Sequence, residues 1–144
     1  MILAGDIGGT HTRLSLFERG DERREPLVVT VFPSQEHPSL EEIIRIFQAK
    51  NPQTITDACL GVVGPIHKGM AQLSNLAWKV DSSLLAAELR LSRVELVNDL
   101  EVQAHGLSLL NDDDLVVLNR GEPDRGGNQG LICAGTGLGE AGLD

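Results

Sequence analysis

Gly5-Asp6-Ile7-Gly8-Gly9-Thr10, a glycine-rich run with an embedded carboxylate, joins two stretches that both read as strands, and it constrains the chain more than any other feature. Met1 to Ala4 is a short apolar run, and Thr12 to Phe17 alternates polar and apolar as a half-buried strand does. In Walker loops and dinucleotide-binding units the glycines lead into a helix whose N-terminus holds phosphate. Here a strand follows, and the spacing is not G-x-G-x-x-G. Two readings remain. One is a strand–loop–strand phosphate cradle, in which adjacent glycines let backbone N–H groups converge as a nest, Thr10 adds a hydroxyl and Asp6 holds a nucleotide's cation. The other is an ordinary hairpin turn, for which Gly-Gly is a common dipeptide.

Further along, Val28 to Phe32 is a third apolar run closed by Pro33. A helix then starts at Ser39 as N-cap, with Glu42 placed for a capping box and Leu40, Ile43, Ile44 and Phe47 as its buried stripe; Asn51-Pro52 stops it. Ala58 to Val63 is continuously apolar, as in a central strand covered on both faces, and ends at Gly64-Pro65. Ile66 to Val80 reads as loop and short strands. Asp81 or Ser82 opens a second helix running to Leu91, Val94 to Val97 forms a buried strand, and a third helix follows Asn98-Asp99. The order β-β-β-α-β-α-β-α implies an α/β domain of ribonuclease-H type, a mixed five-stranded sheet flanked by helices, with the first three strands antiparallel.

Beyond Asn111 the character changes. Asp112-Asp113-Asp114 reads as a solvated, charged linker, Leu115 to Leu118 as a short strand, and Asn119 to Gln129 as polar loop. Leu131 to Ala134 then runs into Gly135-Thr136-Gly137-Leu138-Gly139, a second strand and Gly/Thr loop like the first, with Ala141-Gly142-Leu143 beginning a strand beyond it. Two such loops imply a duplicated architecture gripping phosphate from both halves. The second copy stops at Asp144 as it begins, so the sequence is expected to be a truncated one. Its strand 131–134, lacking the rest of a sheet, is expected to be disordered, packed back on the first half or paired with another copy.

Composition narrows the partners. The chain has 144 residues and a net charge of −9, from 12 basic and 21 acidic residues, which argues against nucleic acid and anionic membranes. No stretch approaches a membrane span, Asp6 and Arg13 exclude a signal peptide at the start, and the chain reads as cytoplasmic. Cys59 and Cys133 each lie in apolar strand-like runs and are expected to be buried small hydrophobes. His11, His37, His67 and His105 show no metal-ligand spacing and read as structural or surface residues.

Asp99 follows a buried strand, so its carboxylate belongs at the sheet's C-terminal edge, where open α/β sheets bind ligands. It is a candidate general base and equally a candidate N-cap. Asn98 carries both donor and acceptor, which suits sugar hydroxyls, or else satisfies a local turn. Trp78 suits either a sugar face or the core.

Together the 5–10 loop, Gly64-Pro65-Ile66, Asn75 to Trp78, Val97-Asn98-Asp99 and Ala134 to Gly139 resemble the bacterial glucokinases of the hexokinase/actin/Hsp70 superfamily, over essentially the whole chain. The resemblance implies an actin-like ATPase fold and an ATP- and Mg²⁺-dependent kinase acting on the 6-hydroxyl of glucose. Residues 1–110 would be the small N-terminal lobe and 111–144 the start of the large lobe. Asp99 would be the catalytic base, with Asn98, Asn75 and Gly64 on the sugar. Gly5, Asp6, Ile7, Gly8, Gly9, Thr10, Gly135, Thr136 and Gly137 would bind ATP, Asp6 also holding Mg²⁺ through water. Departures are His11-Thr12, where the family often has Asn-Ala, and Glu140, where an apolar residue is usual. Glucose and ATP are the implied partners, and a homodimer is left open. Another sugar kinase of the superfamily, or a non-enzymatic actin-like or sugar-binding regulator, are the alternatives, and residues 1–144 alone are expected to be inactive.

Overall fold

A computed structural model describes residues 1–20, 25–73, 75–122, 124, 126–134 and 138–143. The chain forms two compact units, Met1–Asp99 and Leu100–Asp144. Strands β1 (Ile2–Ile7), β2 (His11–Phe17) and β3 (Val28–Pro33) form an antiparallel meander, as expected. β4 (Asp57–Val62) lies parallel to β1 on its other side, and β8 (Arg93–Asn98) lies parallel to β4. The resulting order β3-β2-β1-β4-β8 is the mixed five-stranded sheet of a ribonuclease-H-like domain. Three short strands, β5 (Ile66–His67), β6 (Met70–Gln72) and β7 (Lys79–Asp81), make a separate antiparallel sheet between β4 and the second helix.

Side-chain alternation decides which sheet face is buried. Leu3 and Ile7, then Leu14 and Leu16, then Ala58, Leu60 and Val62 all point to one side, each under 5% exposed. Helix α1 (Leu40–Lys50) buries its whole Leu40, Ile43, Ile44, Phe47 stripe against them. Its cap forms as the sequence implies, with the Ser39 hydroxyl accepting from the Glu42 amide at 3.3 Å. The Glu42 carboxylate is taken by His37 Nδ1 at 3.1 Å, and the His37 ring stands edge-on to Phe32. At the far end Asn51 turns both its amide and its side chain onto the Phe47 carbonyl. Helix α2 (Ser82–Leu89) is capped by Asp81, whose Oδ1 accepts from Ser83 and Leu84, and Arg90 in the left-handed region ends it. Ala71, Leu73, Trp78 and Val80 of the small sheet join the same core.

Several expectations are corrected. Trp78 is buried, not open to a ligand. Cys59 is exposed and Cys133 half-buried, because each points away from the packed face of its strand. β4 therefore buries its alternate residues, with Cys59 at the surface, where full burial of both faces was implied. Leu115–Leu118 forms no strand: Val116 and Leu118 are 85% and 95% exposed, and an apolar run without a neighbouring strand has no ladder to join.

In the second unit, helix α3 (Asp99–Gly106) is followed by a turn at Leu107–Leu109, and Asp114 folds back to accept from the Asn111 amide at 2.9 Å. Strands β9 (Gln129–Ala134) and β10 (Leu138–Leu143) pair antiparallel with each other. The strand at 131–134 is thus satisfied by its own continuation, not disordered or left for a second copy. Among the described residues no helix is long and apolar enough to cross a membrane.

Candidate active site

Register fixes the geometry of the site. Ile7 pairs with Val62, and Val62 with Asn98, so the three parallel strands end in one row. The loops that leave this row begin at Gly8, Val63 and Asp99. Phosphate loop, Gly64 turn and Asn98-Asp99 therefore stand along the same sheet edge, where ligands bind in open α/β sheets.

Each sequence-assigned residue takes a distinct place there. Gly5, Asp6 and Ile7 belong to β1 itself. Gly5 faces the core: a Cβ on it would stand 2.6 Å from Leu60 Cδ2 and 3.1 Å from Leu14 Cδ2. Its missing side chain serves packing, and Ile7 is fully buried. Asp6 points the other way and, with its cross-strand partner Arg13, His11 and Val31, lines a cavity of about 290 Å³. The turn proper is Gly8-Gly9-Thr10, closed by the Gly8 N–H donating to the His11 carbonyl at 3.0 Å.

The reason for its glycines differs from the expected one. Among the described residues the glycines with positive φ are Gly20, Gly64, Gly69 and Gly121, so Gly8 and Gly9 build no left-handed nest. They are small because of close neighbours. A Cβ on Gly8 would lie 2.9 Å from the His11 carbonyl oxygen, and one on Gly9 2.7 Å from Asn75 Cβ.

Behind the turn lies a brace that motif reading missed. Ser34, just past β3, donates its hydroxyl to the Gly8 carbonyl at 2.8 Å, and its amide donates to the Thr10 carbonyl at 2.9 Å. Thr12 and Ser34 hydroxyls meet at 2.9 Å, both residues fully buried. Since Ser34's single hydroxyl proton goes to Gly8, Thr12 donates to Ser34. A signal for half of this existed: Thr12 shares the inward parity of Leu14 and Leu16.

Gly64 has φ +113°, which a side chain rarely adopts, and its carbonyl accepts from Asn98 Nδ2 at 3.1 Å. Asn98 thus uses one amide proton to lock the Gly64 turn. Asp99 is the first residue of α3, one place past the expected N-cap, and half-exposed at the row's end. A helix N-terminus favours an ionised carboxylate, the state a proton acceptor needs. Gly135, Thr136 and Gly137 lie outside the described residues.

Among the described residues there is no cluster of three or more His, Cys, Asp or Glu placed to hold a metal ion. Asp6 is a single exposed carboxylate beside the turn, and that fits Mg²⁺, which keeps most of its waters and takes one or two carboxylates plus substrate phosphates.

Comparison with known proteins agrees with this layout. A family model described as Glucokinase matches residues 3–144. The glucokinase of Nostoc punctiforme is 39% identical over 142 residues, covering 97% of this chain and 42% of that protein. The glucokinase of Synechocystis is 34% identical, over 96% of this chain and 42% of its own length. The chain thus spans less than half the length of these curated relatives. A crystal structure of glucokinase from an Antarctic psychrotroph superposes with a TM-score of 0.84 at 29% identity, covering 99% of this chain and 48% of that one. A ROK family glucokinase from Streptomyces griseus, solved in complex with glucose and AMPPNP, shares the fold at a TM-score of 0.66 and 19% identity, covering 99% of this chain and 44% of that one.

Proposed function

This chain belongs to the glucokinase family, and from that premise we propose that it serves ATP-dependent phosphorylation of D-glucose at the 6-hydroxyl. The observation that carries the reading is the flush row Ile7–Val62–Asn98, which brings a phosphate turn and a carboxylate to one edge. Residues 1–110 act as the small lobe and 111–144 as the start of the large one.

Phosphoryl transfer asks for positioning, charge neutralisation and a base for the attacking hydroxyl. Asp99 accepts the proton of the 6-hydroxyl as that oxygen attacks the γ-phosphorus of ATP; the bond to the β-bridging oxygen breaks and ADP leaves. Asn98, locked through Gly64, orients the sugar beside Asp99. The Gly8–Thr10 turn takes the phosphate side, and Gly135-Thr136-Gly137 completes the grip from the second unit. Asp6 would hold Mg²⁺ through water, and the bound ion would neutralise charge on the phosphates.

The test is a coupled assay with ATP, Mg²⁺ and glucose. Residues 1–144 alone should give no turnover, because enzymes of this kind enclose both substrates between lobes. Rates near 1–10³ per second, ordinary for an enzyme, would refute that requirement. A chimera carrying these residues in place of the matching segment of the Nostoc punctiforme glucokinase should be active. Asp99→Asn in it should depress turnover by about 10²-fold or more with little change in glucose binding. Equal losses in both would make Asp99 structural, and preference for another hexose would favour a different sugar kinase.

A further inference from the structure

Asn75 and Gly9 are distant in sequence and meet in space. A methyl group on Gly9 would stand 2.7 Å from Asn75 Cβ, 3.3 Å from its Nδ2 and 3.5 Å from its Cγ. The Asn75 side chain therefore lies directly along the backbone of the phosphate turn, in the space that a Gly9 side chain would take. Asn75 sits on the connection between β6 and β7, and that connection is anchored from behind. The Leu73 amide and Gln72 Nε2 both donate to the Trp78 carbonyl, at 3.2 and 3.1 Å, and Leu73 and Trp78 are buried. Asn75 itself is exposed, so its carboxamide borders solvent beside the turn.

The turn also lacks spare capacity of its own. The Gly8 N–H is used on His11, and the Gly8 and Thr10 carbonyls are used on Ser34. An anion arriving there needs donors from elsewhere, and a carboxamide offers two N–H groups without adding charge. We propose that Asn75 is a phosphate-side residue: its carboxamide N–H donates to the phosphoryl oxygens held at the Gly8–Thr10 turn, and its contact with Gly9 sets that position. This rests on the reading of the turn as the phosphate site, and it moves Asn75 away from the sugar.

Isotope-labelled protein, residues 1–144, can be titrated separately with inorganic pyrophosphate and with glucose while backbone and carboxamide resonances are followed. Pyrophosphate should shift the Gly9 and Thr10 amides together with the Asn75 side-chain amide. Asn75→Ala should weaken pyrophosphate binding about tenfold or more, the scale of a hydrogen bond to a charged group, and leave any glucose response unchanged. Gly9→Ala, which displaces Asn75, should lose binding to a similar degree, and adding Asn75→Gly to it should cost nothing further. Retained resonance dispersion shows that each variant folds. If Asn75→Ala binds pyrophosphate as the parent does while Gly9 and Thr10 still respond, the inference is overturned and the phosphate turn stands. If pyrophosphate moves no residue of the turn, the phosphate reading falls and the inference with it.

Discussion

Removing the Ser34 hydroxyl should cost more than removing both hydroxyls of the Thr12–Ser34 pair. In Ser34→Ala two bonds vanish, to Gly8 at 2.8 Å and from Thr12 at 2.9 Å. The half-exposed Gly8 carbonyl can turn to water and loses about 0.5–1.5 kcal/mol. Thr12 cannot, being fully buried, so its orphaned hydroxyl adds a desolvation penalty of about 1–3 kcal/mol. The sum is about 2–4 kcal/mol. Thr12→Val leaves Ser34 still donating to Gly8 and should cost about 0.5–1.5 kcal/mol. Adding Thr12→Val to Ser34→Ala removes the orphan, so the double variant should recover about 1–2 kcal/mol relative to Ser34→Ala alone. The single tryptophan, Trp78, is buried in the same unit and reports its unfolding in urea. The midpoint should move without a change in slope. Additive losses, with the double variant the least stable of the three, would refute the chain of donors derived for this brace.

Gly5→Ala should destabilise the same unit by about 1–3 kcal/mol through overpacking, since the new methyl meets Leu60 Cδ2 at 2.6 Å; unchanged urea unfolding would return Gly5 to the phosphate loop. The Asp57 carboxyl is held below its ordinary value by the Thr56 hydroxyl and by the Arg19 guanidinium. The charged form is thus favoured in the folded state, and its contribution is full above about pH 4 and lost as pH falls through the lowered value. Asp57→Asn should accordingly flatten the acid limb of the stability profile, and an unaltered limb would contradict this. Partial burial and then the Glu95 charge push the Cys59 thiol up, so iodoacetamide should label it slowly at neutral pH for an exposed thiol. Glu95→Gln should speed labelling, and an unchanged rate would count against the charge effect.

What the sequence made legible was local or periodic. The Ser39 cap, the Asn51 stop and the inward parity of β2 lie within a few residues of the features they control, and β-β-β-α-β-α-β-α leaves few topologies open. The site was legible as residue types at strand ends, since Asn98-Asp99 and the glycine turn both follow apolar runs. Contacts between distant segments were not. Gly5 looks like part of a phosphate loop until Leu60 is set across from it, and Gly9 looks like a nest residue until Asn75 arrives. Leu115–Leu118 failed for the converse reason: an apolar run states a preference for burial and says nothing of whether a neighbouring strand is at hand.

The flush ending of β1, β4 and β8 acts as a spacer gauge. Neighbouring strands lie about 4.8 Å apart, so with β4 between them the turn after β1 and the carboxylate after β8 are held about 10 Å apart. That width is set by backbone ladders, and no side-chain substitution along β4 can widen or narrow it. Changes in β4 can tilt or lift the edge, as overfilling at Leu60 would, but the interval persists. A protein built on this interval must vary its choice of acceptor through the loops at either end, leaving the distance between donor and base as a constant of the sheet.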